Sequence, residues 1–253
     1  MIFQNTNKAN NLIHTGHSIY SAVRRLLAAV IVMGIVGCSG GSYVENADRN
    51  DVITLGDSIF DLNGVIQQTL EAYAGETFRD YTQSGAEISG GFLAPSVISQ
   101  YNSAKSTNSN IATIVMDGGG NDILIPATLF DPYGCRTRWW RRNISSSCVN
   151  LIVDQYIVQV NLLNQMASDN VENVVWLGYY ELPRGNSNLT KALNLGDDLL
   201  GYGCEVSSNA NCSFVDPRGT VPASQVLSDN IHPTVDGSVN LANQIWPVLQ
   251  PLL

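Results

Sequence analysis

The chain has 253 residues, of which 44% are hydrophobic and 14% charged, and its formal net charge is −9. That length and apolar content suit one domain with a sizeable core, and the acidic balance argues against general nucleic-acid binding. Five cysteines with no Cys-x-x-Cys pair and only three histidines offer little to a metal centre.

The first 37 residues contain no Asp or Glu; they carry Lys8, Arg24 and Arg25, then the apolar run Leu26–Gly37, and Cys38 follows. A basic segment, a short apolar run and small residues before a break mark a secretory signal, too short for a comfortable membrane span. The ending "IVGC" resembles the bacterial lipobox, in which the cysteine is lipidated and becomes the new N-terminus. That resemblance implies removal of residues 1–37 and membrane attachment through a lipidated Cys38. An ordinary secretory signal with an incidental cysteine is the alternative. Ser39, where retained lipoproteins carry Asp, implies sorting to the outer membrane of a bacterial cell envelope. Loss of a leader with three positive charges and no acid would take the net charge from −9 to −12.

The four remaining cysteines, Cys135, Cys148, Cys204 and Cys212, suggest two disulfides in an oxidising compartment. Three pairings are possible. The sequence-local one, Cys135–Cys148 with Cys204–Cys212, closes short loops worth about 2–3 kcal/mol each. Residues 38–50 are small and polar and read as a flexible tether, leaving 51–253 as the folded domain.

Within 51–253, short apolar runs alternate with stretches of helical spacing. Val52–Leu55 reads as a first strand, Ile59–Ala74 as a helix, Phe78–Thr82 as a short strand and Phe92–Ala104 as a helix. Ile111–Met116, "IATIVM", is a buried strand by its β-branched content. Leu151–Ala167 is helical, with Ile152, Tyr156, Val160 and Leu163 on one face. Val174–Tyr179 is the next strand, Leu189–Leu200 a helix and Ser213–Val215 a last short strand. Val235–Leu249 closes the chain as a helix with Val235, Val239, Ala242, Trp246 and Leu249 on one face. This alternation predicts an α/β fold, a three-layer α/β/α sandwich around a mainly parallel five-stranded sheet. Ligands bind beyond the carboxyl ends of such strands, and Ser58, Gly85 and Asn121 each follow one.

His14 and His17 fall in the expected leader, so His232 is the one histidine of the mature chain. A serine hydroxyl is a weak nucleophile at neutral pH and needs a base; here that base can only be His232. Asp229, three residues earlier in "SDNIHP", could orient the imidazole and stabilise its charged form. Taken singly, Ser58 could be a helix cap, "GGND" a turn and Asp229 a cap for the last helix.

In order along the chain, "GDS" at Gly56–Ser58, "SGA" around Gly85, "GGND" at Gly119–Asp122 and "DNIHP" at Asp229–Pro233 resemble the four blocks of the SGNH hydrolases, the GDSL esterase/lipase family. The blocks span nearly all of the expected mature chain. The resemblance implies an SGNH, flavodoxin-like fold and a serine esterase or lipase acting on carboxylic esters without cofactor or metal. Ser58 would be the nucleophile, with Asp229 and His232 completing the triad. The N–H groups of Ser58 and Gly85 and the side-chain amide of Asn121 would form the oxyanion hole. Ile59 replaces the usual Leu. Gln83-Ser84 stand where many members have Asn, which leaves Gly90 as the alternative to Gly85. Members process short-chain esters, lysophospholipids and acetylated sugars, so the partner is a small-molecule or lipid ester. A catalytically inactive binding or structural lipoprotein on the same fold is the competing reading.

"RTRWWRRN", Arg136–Asn143, places four arginines and two tryptophans inside the expected Cys135–Cys148 loop of an acidic chain. It reads either as a stapled lid for anionic head groups or membrane, or as a surface loop whose arginines pair with local carboxylates.

Overall fold

The β-branched runs become the strands of one sheet in the computed structural model, which describes residues 43–90, 93–206 and 211–253. They are β1 (Arg49–Leu55), β2 (Phe78–Asp80), β3 (Thr113–Met116), β4 (Asn173–Leu177) and β5 (Asn211–Val215). All neighbours pair in parallel, in the order β2-β1-β3-β4-β5. This is the flavodoxin-like doubly wound order, in which the winding reverses between β1 and β3 and opens a crevice at their carboxyl ends.

The helices among the described residues are α1 (Ser58–Asp61), α2 (Val65–Ala74), α3 (Val97–Thr107), α4 (Gly120–Leu129), α5 (Ser146–Ser168), α6 (Ser187–Val206) and α7 (Val235–Leu249). Strand side chains alternate between two faces, and both faces are apolar. On one, Ile53, Ile114 and Trp176 meet Tyr101 of α3, Leu163 of α5 and Leu200 of α6. On the other, Val52, Val115 and Val175 meet Leu70 of α2 with Leu241 and Ile245 of α7. The result is the expected three-layer sandwich. A third cluster joins Leu124 of α4, Ile152 of α5 and Leu193 of α6 around Cys135 and Cys148.

Several elements differ from expectation for local reasons. The single helix over 59–74 is split in two. Gly64 adopts φ +65° and the Asn63 side chain accepts from the Val65 N–H, so α2 starts afresh. α3 begins at Val97, capped by Ser96, because Pro95 disfavours helix before it. α4 was not anticipated: its glycine-rich start and internal Pro126 hide ten helical residues. α5 starts earlier, at a Ser145 cap inside a serine run. In α7 the buried face is Ser238, Leu241, Ala242, Ile245 and Leu249, rotated from the expected one, and Val235 is exposed.

The disulfides are Cys135–Cys148 and Cys204–Cys212, the sequence-local pairing. In the stretch expected as a tether, Val44 pairs with Asp80 through two backbone bonds of 3.0 Å, and Tyr43 packs edge-on against Tyr81. The expected leader and Cys38 lie outside the described residues. Among the described residues no helix is long and apolar enough to cross a membrane.

Candidate active site

β1 ends at Leu55, and Gly56 turns the chain with φ +146°. A Cβ at Gly56 would lie 1.7 Å from Asp117 Oδ1, so no other residue fits there. Gln100 of α3 clamps the turn, accepting from the Gly56 N–H and donating to the Gly56 carbonyl, both at 2.8 Å. Asp57 then caps α1 through Oδ1, which accepts from the Ile59 N–H at 3.0 Å. Ser58 is the first residue of α1 and nearly buried.

The second approach comes from the loop before α7. Asn230 stands at φ +69°, and the Asp229 carboxylate reaches back to accept from the N–H groups of Ile231 and His232. Its other oxygen lies 2.7 Å from His232 Nδ1, while His232 Nε2 lies 2.8 Å from Ser58 Oγ. Asp229, His232 and Ser58 thus form one continuous hydrogen-bonded line. Burial alone would raise the Asp229 carboxyl, but the hydrogen bonds from the His232 ring and from the two amides outweigh it and hold it at about 2. The loop is braced from β4's side. The Tyr180 hydroxyl donates to the Ile231 carbonyl, and the Asn230 side chain bonds both the N–H and the carbonyl of Arg184.

The third approach is the loop after β2. Asp61 of α1 accepts from the Ser84 N–H at 2.7 Å. Asn121 Nδ2 of α4 donates to the Ala86 carbonyl at 3.0 Å, and Asp122 Oδ2 accepts from the Ile88 N–H at 3.0 Å. Gly85 sits between these anchors with φ +86°. Among the described residues no acceptor meets the backbone N–H of Gly85 or of Ser58, and the Asn121 amide keeps one hydrogen to donate. Gly90, by contrast, lies beyond the anchored stretch and is exposed. Burial and then the neighbouring Glu87 push the Asp122 carboxyl up to about 7, against the pull of the Ile88 amide.

Sequence reasoning missed the support behind Ser58. The Asp57 N–H donates to Asp117 Oδ1 at 2.9 Å, and the Tyr179 hydroxyl donates to Asp57 Oδ2. Tyr179 lies flat on the chain at Gly120, where a Cβ would come within 2.3 Å of its ring. Full burial, then the charge of Asp57, push the Asp117 carboxyl well above the usual range. Behind Tyr179, its own N–H donates to both oxygens of Asp197, which burial raises to about 8. The signals were present: Asp117 directly precedes the glycines after β3, and "YY" follows β4.

Among the described residues no three His, Cys, Asp or Glu side chains gather as a metal site would require. A groove of about 380 Å³ is lined by Glu87, Asp122, Leu129, Phe130, Tyr133 and Leu151. Chemically, the assembly offers a hydroxyl and a base with its orienting carboxylate at the carboxyl edge of the sheet.

No protein-family model and no curated protein matches the chain. Solved structures do. LAE5, an α/β hydrolase enzyme from the metagenome of Lake Arreo, Spain, is 16% identical with a TM-score of 0.58, covering 83% of this chain and 99% of its own. The lipase Lip_vut3 from a goat rumen metagenome is 15% identical with a TM-score of 0.58, covering 79% and 96%. The acetylxylan esterase Axe2 from Geobacillus stearothermophilus is 14% identical with a TM-score of 0.53, covering 79% and 93%. At these identities the likeness is one of fold: the chain has the α/β architecture of these hydrolases.

Proposed function

We propose that the chain is a serine esterase that hydrolyses carboxylic esters through an acyl-enzyme. The single observation that carries this reading is the Asp229–His232–Ser58 line at the carboxyl edge of the sheet. Ser58 Oγ attacks the ester carbonyl as His232 Nε2 takes its proton. The N–H groups of Ser58 and Gly85 and the Asn121 amide receive the developing oxyanion. His232 returns the proton to the leaving alcohol, and water, activated by the same imidazole, releases the acid. Proteins of the same architecture include an acetylxylan esterase and a lipase, so acetylated sugars and acyl lipids are the first substrates to try.

The proposal extends to the N-terminus on the strength of "IVGC". Residues 1–37 are removed, and Cys38 is lipidated and holds the folded domain, which begins at Tyr43, at the outer membrane. Palmitate incorporation in a bacterial host, lost in Cys38→Ser, tests that part alone.

A serine-reactive fluorophosphonate tests the enzyme. It labels the wild type and not Ser58→Ala. A well-folded wild type that takes no label contradicts the esterase and leaves the binding-protein alternative.

A further inference from the structure

The Arg136–Asn143 segment is a tight hairpin. Arg138 and Arg141 pair across it through two backbone bonds, N–H to carbonyl, of 3.0 and 2.9 Å. Trp139 and Trp140 therefore form its tip, 86% and 62% exposed, with their rings edge to face at 5.1 Å. The base is rigidly mounted. Cys135 is bonded to Cys148 in the first turn of α5. Asp131 holds the Arg141 guanidinium at 3.0 Å and lies 3.9 Å from Arg138 Nε. Thr137 bonds Asn186 and Asn188 at the start of α6. The arginines are thus divided: two share one carboxylate, while Arg136 and Arg142 meet none among the described residues.

Position follows from topology. α5 runs straight into β4, which enters the sheet from the amino side, so α5 begins at the carboxyl edge, where the crevice opens. Phe130, 75% exposed, and Tyr133 extend the apolar surface beside the hairpin. Rigid exposure of this much apolar surface marks an interaction site.

We propose that this hairpin is a docking tip for an anionic lipid surface. Indole rings settle at the boundary between water and hydrocarbon, and arginines flanking them meet the phosphates. Four arginines against one aspartate between Asp131 and Arg142 give a local positive charge on an acidic chain, which is complementary to anionic head groups and not to a neutral polymer. A convex tip with perpendicular rings also provides no flat platform for a sugar ring. Docking requires no hydrolysis. If the esterase reading holds as well, the groove beside the tip receives esters from the lipid surface.

The test is tryptophan quenching by phosphatidylglycerol vesicles with brominated acyl chains, on the chain without residues 1–38, whose apolar run and lipidated cysteine would bring it to any bilayer. Trp176 is fully buried in the sheet, Trp246 on α7 is partly buried against Tyr73, and residues 1–42 contain no tryptophan, so the part of the quenching lost in Trp139→Phe/Trp140→Phe reports the tip. The wild type and Ser58→Ala are quenched alike, which separates docking from catalysis. Arg136→Gln/Arg142→Gln weakens partition about 25-fold, about fivefold per arginine, and salt weakens it further. Trp139→Phe/Trp140→Phe removes the quenching. No quenching of the wild type, equal quenching of that double variant, or an emission shift with a soluble polysaccharide but not with vesicles would overturn the proposal.

Discussion

Two aspartates stand close to Ser58, and their hydrogen bonds assign them different work. Asp57 is occupied by the Ile59 amide and the Tyr179 hydroxyl, so it fixes the turn that presents Ser58. Asp229 faces His232 Nδ1. Replacing Asp229 by Asn should therefore lower kcat on an activated short-chain ester by about 10⁴, the scale of losing the orienting carboxylate of a triad. Asp57→Asn keeps an acceptor for the Ile59 amide and should cost about tenfold or less. A larger loss from Asp57→Asn would reverse the assignment. Ser58, Asp229 and His232 were legible because the expected mature chain holds one histidine with an acid three residues before it. Tyr179 and Asp117 could be placed after β4 and β3 from the sequence but not against Asp57, because no spacing along the chain records contacts between strand ends.

At the scale of elements, the strands and α7 were legible from β-branched runs and helical spacing. α4 was hidden because glycines open it and Pro126 interrupts its pattern, although it delivers Asn121. The rotated face of α7 shows the same limit. Its periodicity is compatible with several stripes, and packing against Val115 and Val175 selects one. β2 also conceals a device: the Arg79 side chain is wholly buried and, among the described residues, meets no carboxylate. It donates to the Tyr81 hydroxyl at 3.1 Å, and to the carbonyls of Ala104 at 3.0 Å and Asn108 at 3.3 Å, where α3 ends. A cation there satisfies orphan carbonyls and the negative end of the helix. Arg79→Met, similar in volume, should lower the free energy of unfolding in urea by about 3 kcal/mol. A change within about 0.5 kcal/mol would show that the carbonyls find other donors.

For the whole molecule, the buried carboxyls predict how stability follows pH. Asp122 and Asp197 are raised to about 7 and about 8 in the folded chain. Their stabilising contribution is complete below their unfolded values near pH 4 and is lost as pH rises through about 7 to 8. Asp229, depressed to about 2, acts oppositely: its contribution is present above about pH 4 and lost on acidification towards 2. Urea midpoints should therefore be higher at about pH 5 than at about pH 8.5, by the equivalent of a few kcal/mol. Asp197→Asn should flatten that slope; an unchanged slope would assign it to other groups. The sequence revealed an acidic chain but not which acids the core encloses, since burial is decided by packing across elements. The central claim is that Ser58 becomes acylated, and one measurement addresses it directly. The tryptic peptide Asn50–Arg79 contains Ser58 as its sole serine. After brief reaction with an activated ester and acid quenching, that peptide should carry the acyl mass at Ser58 in the wild type and carry none in Ser58→Ala. Ester turnover with the acyl group on another residue, or undiminished turnover in Ser58→Ala, would contradict the account.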